Sequence, residues 1–209
     1  AIFSSMEPIP LLTLVVRGLM EYRGIRKEGR EFSYKWPLYF LVAASFWNFL
    51  GAGIFGFVIN LPIINFYEHG TYLTMHHGHT AMFGTYGMLS VALLLFSWRG
   101  MVEKAYWKDG ILKLSFWGLN GGLFLMAFVT LLPVGLMQAW ISFKDGLWVA
   151  RSADFFESAP VVWLGTFRAI PDTIIIVLGV LPLAYFLITT YPHLKAAKIK
   201  DGESVWERL

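Results

Sequence analysis

The chain has 209 residues, of which 56% are hydrophobic, 17% aromatic and only 15% charged, a composition that excludes an ordinary soluble globule and favours a membrane protein. It contains no cysteine, which excludes disulfides, thiolate zinc sites, iron–sulfur clusters and cysteine nucleophiles; a metal would need histidine, carboxylate or methionine ligands. The net charge is +3, but the basic residues flank the apolar runs instead of sharing one polar face, so we expect no nucleic-acid partner.

The first apolar run is short. The sequence starts Ala-Ile-Phe-Ser-Ser without Met, and only nine uncharged residues separate Glu7 from Arg17, too few to cross a bilayer. We expect the chain to begin inside a helix, at about 1–22, with earlier spans of the same protein outside this sequence. A short interfacial helix is the alternative.

Four later windows contain no Asp, Glu, Lys or Arg, and each exceeds the roughly 20 residues that a spanning helix needs. They predict an all-α integral membrane fold with spans at about 37–65, 70–98, 111–138 and 172–192. The aromatic-rich stretch 139–171 is predicted to be an outer-side connection that contains an interfacial helix.

Basic residues are distributed unequally between the two sides that this topology defines. Thirteen Lys and Arg residues fall in the connections around 23–35 and 99–113 and in the tail after 194, against three in the other connections, at Lys144, Arg151 and Arg168. By the positive-inside rule the first set is cytoplasmic, which predicts a multi-pass membrane protein with a cytoplasmic C-terminus.

Four of the five histidines fall within eleven residues, at His69, His76, His77 and His79. On a regular helix His77 and His79 point about 200° apart and cannot bind one metal, but each could serve a separate centre. Imidazole is the usual protein ligand of haem iron, and Gly78 between them leaves room for flat macrocycles. A zinc pair of His76 with His79 has suitable spacing but lacks nearby third and fourth ligands.

The runs FWNFLGAGIFGFVINLP at 46–62 and YEHGTYLTMHHGHTAMFG at 67–84 strongly resemble the catalytic subunit of bacterial nitric oxide reductases, in the haem-copper oxidase superfamily. The resemblance implies that this chain is the C-terminal five helices, one of them truncated, of a twelve-helix bundle. Carried over, His77 would bind the iron of a high-spin haem b3 and His79 that of a low-spin haem b. The same resemblance leaves His76 a hydrogen-bonding role beside these ligands.

The resemblance implies further site residues. Glu7 would approach a non-haem iron and take part in proton delivery; a carboxylate that simply favours a helix N-terminus is the alternative. His69 and Tyr72 would lie near haem propionates, which a calcium ion could bridge, although both also suit an ordinary solvent-side position. Asp172 would contact quinol, or would only cap the last span.

The implied reaction reduces two nitric oxide molecules with two electrons and two protons to nitrous oxide and water, in the respiratory chain of denitrification. Quinol is the expected electron donor, with cytochrome c as the alternative. The rival functions are an oxygen-reducing haem-copper oxidase, which uses copper, and a non-catalytic, haem-free membrane module. This chain alone lacks the remaining ligands of the non-haem iron.

Overall fold

The computed structural model describes residue 6 and residues 8–194. This part of the chain is mostly helical and contains no β-strand, so the predicted all-α fold is confirmed. The helices are α1 (Pro8–Lys27), α2 (Lys35–Ile59), α3 (Pro62–Glu68), α4 (Tyr72–Met101), α5 (Asp109–Lys144), α6 (Ala153–Phe156) and α7 (Ala159–His193). Among the described residues α2, α4, α5 and α7 are long and apolar enough to cross a membrane.

Successive long helices pack as neighbours: α1 on α2, α2 on α4, α4 on α5, and α5 on α7. The connections 28–34 and 102–108 therefore meet at one end of the bundle, where Arg99 Nε donates to Ser33 O over 3.1 Å; we call this the basic end. The connections 60–71 and 145–158 meet at the other end, where Arg151 Nη2 donates to His69 O over 2.6 Å; we call this the His69 end.

The long helices approach one another through glycines. A Cβ on Gly51 would lie 2.6 Å from the backbone carbon of Thr80, and one on Gly84 would lie 2.7 Å from the Trp47 side chain. Lipid gives no hydrophobic drive for helix association, so close contact between small residues has to supply the packing energy. Trp47 is consequently buried between α2 and α4, with 2% of its surface exposed.

Polar side chains join the same helices inside this apolar packing, where an unpaired N–H group would be costly. The links are Trp36 Nε1 to Asp109 Oδ1 (2.8 Å), Trp47 Nε1 to Asn120 Oδ1 (2.9 Å), Trp98 Nε1 to Thr190 Oγ1 (2.8 Å) and Ser115 Oγ to Gly179 O (2.8 Å). Each hydrogen bond joins two different helices and so fixes their relative position along the bundle axis.

Each membrane-length helix contains a π-helical stretch: Asn48–Phe55, His79–Gly87, Leu125–Leu131 and Ile175–Val180. The last two end two residues before Pro133 and Pro182. A proline has no N–H to donate and its ring crowds the preceding turn, so a wider turn lets the helix continue.

Several helices end away from the predicted positions. α2 ends at Ile59 and not at 65, because Pro62 favours an extended conformation at Leu61 (φ −73°, ψ 126°) and begins α3. α1 continues past Tyr22 to Lys27, since its charged last turns can face water.

The connection predicted at 139–171 is shorter than expected. α5 extends to Lys144, and α7 begins at Ala159 with Pro160 in its first turn, a position that proline favours. Within residues 145–158 the helical structure is a 3₁₀ turn at Val149–Arg151 and the four-residue α6, so the expected interfacial helix is not separate from the long helices.

Candidate haem-binding histidines

His77 lies on α4 opposite the π-helical stretch of α2. Its Nδ1 is 2.9 Å from the backbone oxygen of Gly51, which also accepts the Gly56 N–H within α2. A carbonyl oxygen only accepts, so Nδ1 carries the hydrogen and Nε2 keeps a free lone pair. This is how proteins usually orient a histidine that binds a metal through Nε2.

His79 has the same arrangement within its own helix. Its Nδ1 is 2.8 Å from the backbone oxygen of Met75, so its Nε2 also keeps the lone pair. His77 bonds across to α2, whereas His79 bonds back along α4. The two imidazoles are therefore held separately, each with Nε2 available.

The space around these histidines suits a flat group. A Cβ on Gly78, which separates them, would have no atom of another residue within 4 Å, and one on Gly56 would lie 3.2 Å from Cε1 of His77. Both Nε2 atoms and the open backbone at Gly78 are therefore compatible with a flat metal-bearing ligand beside each imidazole.

His76 is fully buried, with 0% of its surface exposed. Its ring lies edge-on to Phe55 (4.3 Å between ring centroids) and to Phe128 (5.4 Å), and neither ring nitrogen has a hydrogen-bond partner within the described structure. The hydrogen-bonding role expected for His76 is therefore not seen, because aromatic rings enclose it. Nor do the described residues contain a group of three or more His, Cys, Asp or Glu side chains able to hold a metal ion.

Glu68 precedes His69 at the His69 end, and sequence reasoning missed it. Only 1% of its surface is exposed, and Thr74 Oγ1 donates to its Oε2 over 3.1 Å. Burial raises the pKa of the Glu68 carboxyl above its usual value, while the bond from Thr74 and the neighbouring His69 act in the opposite direction. A buried carboxylic acid so close to the histidine helix could have been noticed as the single acidic residue between two apolar windows.

His69 and Tyr72 lie at this same end. His69 is exposed, and its backbone oxygen accepts the bond from Arg151. Tyr72 is half-buried; its backbone N–H donates to Gln138 Oε1 over 2.7 Å, and its side chain lines a cavity of about 300 Å³ together with Arg168. Sequence reasoning missed Arg151 and Arg168 as candidate anion contacts. They could have been noticed because they are two of only three basic residues predicted on the outer side.

Asp172 forms an ion pair with Arg168, at 3.6 Å between Oδ2 and Nε. Within α7 a turn at Arg168 separates Ala159–Phe167 from Ala169–Ile174, and Asp172 lies in the first turn of the second segment. The two roles expected for Asp172, quinol contact and helix cap, therefore stay predictions. Glu7 lies outside the described residues.

Comparison with known proteins identifies the family. The family described as cytochrome c and quinol oxidase polypeptide I matches residues 1–194. The chain belongs to this family. The predicted resemblance to the haem-copper oxidases is thereby confirmed, and with it membership of an all-helical membrane bundle.

A curated relative is similar over a shorter stretch. It is a nitric oxide reductase polypeptide of Stutzerimonas stutzeri, and it is 30% identical to the chain over 146 residues. That match covers 68% of this chain and 30% of the relative, so the chain spans about a third of the length of that protein.

Proposed function

We propose that the chain is part of the catalytic core of a membrane nitric oxide reductase, in which His77 binds the iron of a high-spin haem b3 and His79 provides one axial ligand of a low-spin haem b. One observation carries this proposal. Two histidines separated by one glycine each direct Nδ1 to a backbone oxygen and so keep Nε2 for a metal, in a chain of the haem-copper oxidase family.

The proposed reaction converts two NO, two electrons and two protons into N₂O and H₂O. The haem groups, when bound, would supply electron transfer and the iron at which nitric oxide is reduced. The residues of this chain hold the imidazoles: Gly51 O and Met75 O keep the proton on Nδ1 of His77 and His79. His77 would hold the haem that supplies the substrate-reducing iron, and His79 would hold the haem that supplies electron transfer.

Glu7 is proposed to lie near a non-haem iron and to carry protons to it. Oxygen ligands suit iron better than they suit copper, which favours nitric oxide over oxygen as the substrate. The remaining ligands of that iron and the second axial ligand of the low-spin haem are proposed to come from preceding helices of the same enzyme.

The His69 end is the proposed place of the haem propionates, with His69 and Tyr72 as contacts and a calcium ion bridging the carboxylates. Two cationic side chains near these residues support this placement. Arg151 donates to the backbone of His69, and Arg168 lines the cavity beside Tyr72. Propionates are anions, so a nearby guanidinium group would stabilise them.

Quinol is the proposed electron donor, and Asp172 the proposed quinol contact. The Asp172 side chain is 43% exposed at the His69 end, which leaves its carboxylate accessible to a donor from the membrane. Cytochrome c remains the alternative donor. We further propose the bacterial inner membrane as the location, with the basic end and the C-terminus in the cytoplasm.

The proposal is tested on the purified intact enzyme by counting haem, iron and copper and then measuring nitric oxide consumption with quinol or with reduced cytochrome c. We expect two b-type haems, one additional iron, no copper, and faster consumption with quinol. Copper in place of the additional iron would identify an oxygen reductase. A haem-free preparation would contradict the ligand roles of His77 and His79 and favour a non-catalytic module.

A further inference from the structure

A cavity of about 600 Å³ opens at the basic end, where α1, α2, α4 and α5 and their connections meet. Two carboxylates line it, Glu31 and Asp109, against five cationic side chains, so the formal charge of its lining is +3. The cationic residues are Arg26, Arg30, Lys35, Arg99 and Lys104.

Both carboxylates already have partners. Glu31 forms an ion pair with Lys104, and Asp109 Oδ1 accepts the indole N–H of Trp36 over 2.8 Å. Arg30 pairs with Glu28 outside the cavity lining. The three remaining cations of the lining, Arg26, Lys35 and Arg99, take part in none of the ion pairs that join Glu28 to Arg30, Glu31 to Lys104 and Asp172 to Arg168.

Two of these three cations are held in place before any ligand binds. Arg99 donates from Nε to Ser33 O and from Nη1 to Val102 O, both over 3.1 Å, and its guanidinium carbon lies 5.2 Å from the centre of the Trp107 ring. No hydrogen bond within the described residues uses its Nη2. Lys35 Nζ lies 5.3 Å from the centre of the Trp36 ring. Groups ordered in this way lose little further conformational freedom when an anion binds.

We propose that this cavity binds the phosphate group of an anionic phospholipid. A phosphate diester presents several oxygen acceptors, which suit the free Nη2 of Arg99 and the ammonium group of Lys35. The cavity lies where α2 begins and α4 ends, at the level where the headgroups of a bilayer meet a spanning helix. Tyr22 and Trp107 in its lining belong to the residue types enriched at that level.

A soluble phosphate could satisfy the same cations, but the position at the ends of spanning helices favours the lipid. Clusters of Lys and Arg beside a spanning helix typically bind anionic headgroups in this way. The proposal is independent of His77 and His79, which lie near the start of α4, whereas Arg99 lies near its end.

The test uses the intact membrane protein in detergent, delipidated and then titrated with phosphatidylglycerol, phosphatidylcholine or inorganic phosphate, with bound molecules counted by native mass spectrometry. The variant Arg26→Gln with Lys35→Gln removes two cations of the cavity. Its control, Arg23→Gln with Lys27→Gln, removes two from the end of the same α1 without touching the cavity lining.

We expect phosphatidylglycerol to bind at least tenfold more tightly than phosphatidylcholine. The affinity for phosphatidylglycerol should fall by about thirtyfold in the cavity variant and less than threefold in the control, since each basic residue near an anionic headgroup contributes about a factor of five. Equal losses in the two variants would overturn the proposal, because charge alone would then explain binding. So would equal binding of the two lipids, or tight binding of inorganic phosphate that displaces phosphatidylglycerol.

Discussion

At the scale of single residues, the protonation of the histidines depends on backbone atoms. Helical geometry alone predicted that His77 and His79 cannot bind one metal, and the family resemblance assigned each to a separate centre. It could not identify Gly51 O and Met75 O as the acceptors for Nδ1. Gly51 O can accept the hydrogen bond from His77 only if α2 lies close to α4, and that distance is set by packing between the helices.

Glu68 carries a prediction of pH dependence. Because burial raises its pKa above 4.5, the folded protein holds this proton more tightly than the unfolded chain does. The resulting stability is complete below pH 4.5 and is lost as pH rises through the raised pKa. In Glu68→Gln, which cannot ionise, the midpoint of thermal unfolding in detergent should therefore fall less between pH 4.5 and neutrality.

The control for this measurement is Glu157→Gln at the same end of the bundle, where the side chain is exposed. Its thermal midpoint should follow the pH dependence of the unmodified protein. If Glu68→Gln followed it as well, burial would have no effect on the protonation of Glu68.

At the scale of helices, Gly118 and Gly121 on α5 form a matched pair. A Cβ on Gly118 would overlap the backbone of Leu178 in α7, whereas one on Gly121 would have no atom of another residue within 4 Å. We expect Gly118→Ala to destabilise the protein by about 1–3 kcal/mol through overpacking. Gly121→Ala should be neutral or stabilise it by up to about 1 kcal/mol through helix propensity.

Thermal unfolding in detergent measures both alanine variants. A Gly118→Ala protein as stable as Gly121→Ala would show that α5 and α7 are not in close contact at this position. In that case Ser115, one turn away on α5, would also be too far from α7 to donate its hydrogen bond to Gly179 O.

The ends of helices were harder to predict than their existence. Long apolar windows show which segments can span the membrane. The break after Ile59 depends on Pro62, and a search for charge-free segments passes over a proline because proline is uncharged. Asp172 was expected at a helix start because it follows Pro171. The structure places Asp172 in the first turn of Ala169–Ile174, although the long apolar helical run begins earlier, at Ala159.

At the scale of the whole molecule, the charge distribution predicts sidedness. Green fluorescent protein fused after Leu209 should be fluorescent in cells, and alkaline phosphatase at the same point should be inactive, because the C-terminus is proposed to be cytoplasmic. Phosphatase inserted in the connection 145–158 should be active. The opposite pattern of fluorescence and phosphatase activity would show that the topology is the reverse of the one proposed.

The sequence carries the general architecture because composition and charge act over whole segments. It carries less of the site, since Glu68 and Arg151 become relevant only when the connections 60–71 and 145–158 meet, and Arg168 only when α7 packs beside Tyr72. Their convergence is a property of the assembled helices and leaves no local pattern in the chain.

The central claim is that His77 and His79 bind two different haem groups. The most direct test is the haem content and absorption spectrum of the intact enzyme with His77→Ala, with His79→Ala, and with His193→Ala, which alters a histidine stacked on Tyr106 at the basic end. We predict that His77→Ala loses the high-spin haem, that His79→Ala loses the low-spin haem, and that His193→Ala retains both. Retention of both haems in the His77 and His79 variants would contradict the account.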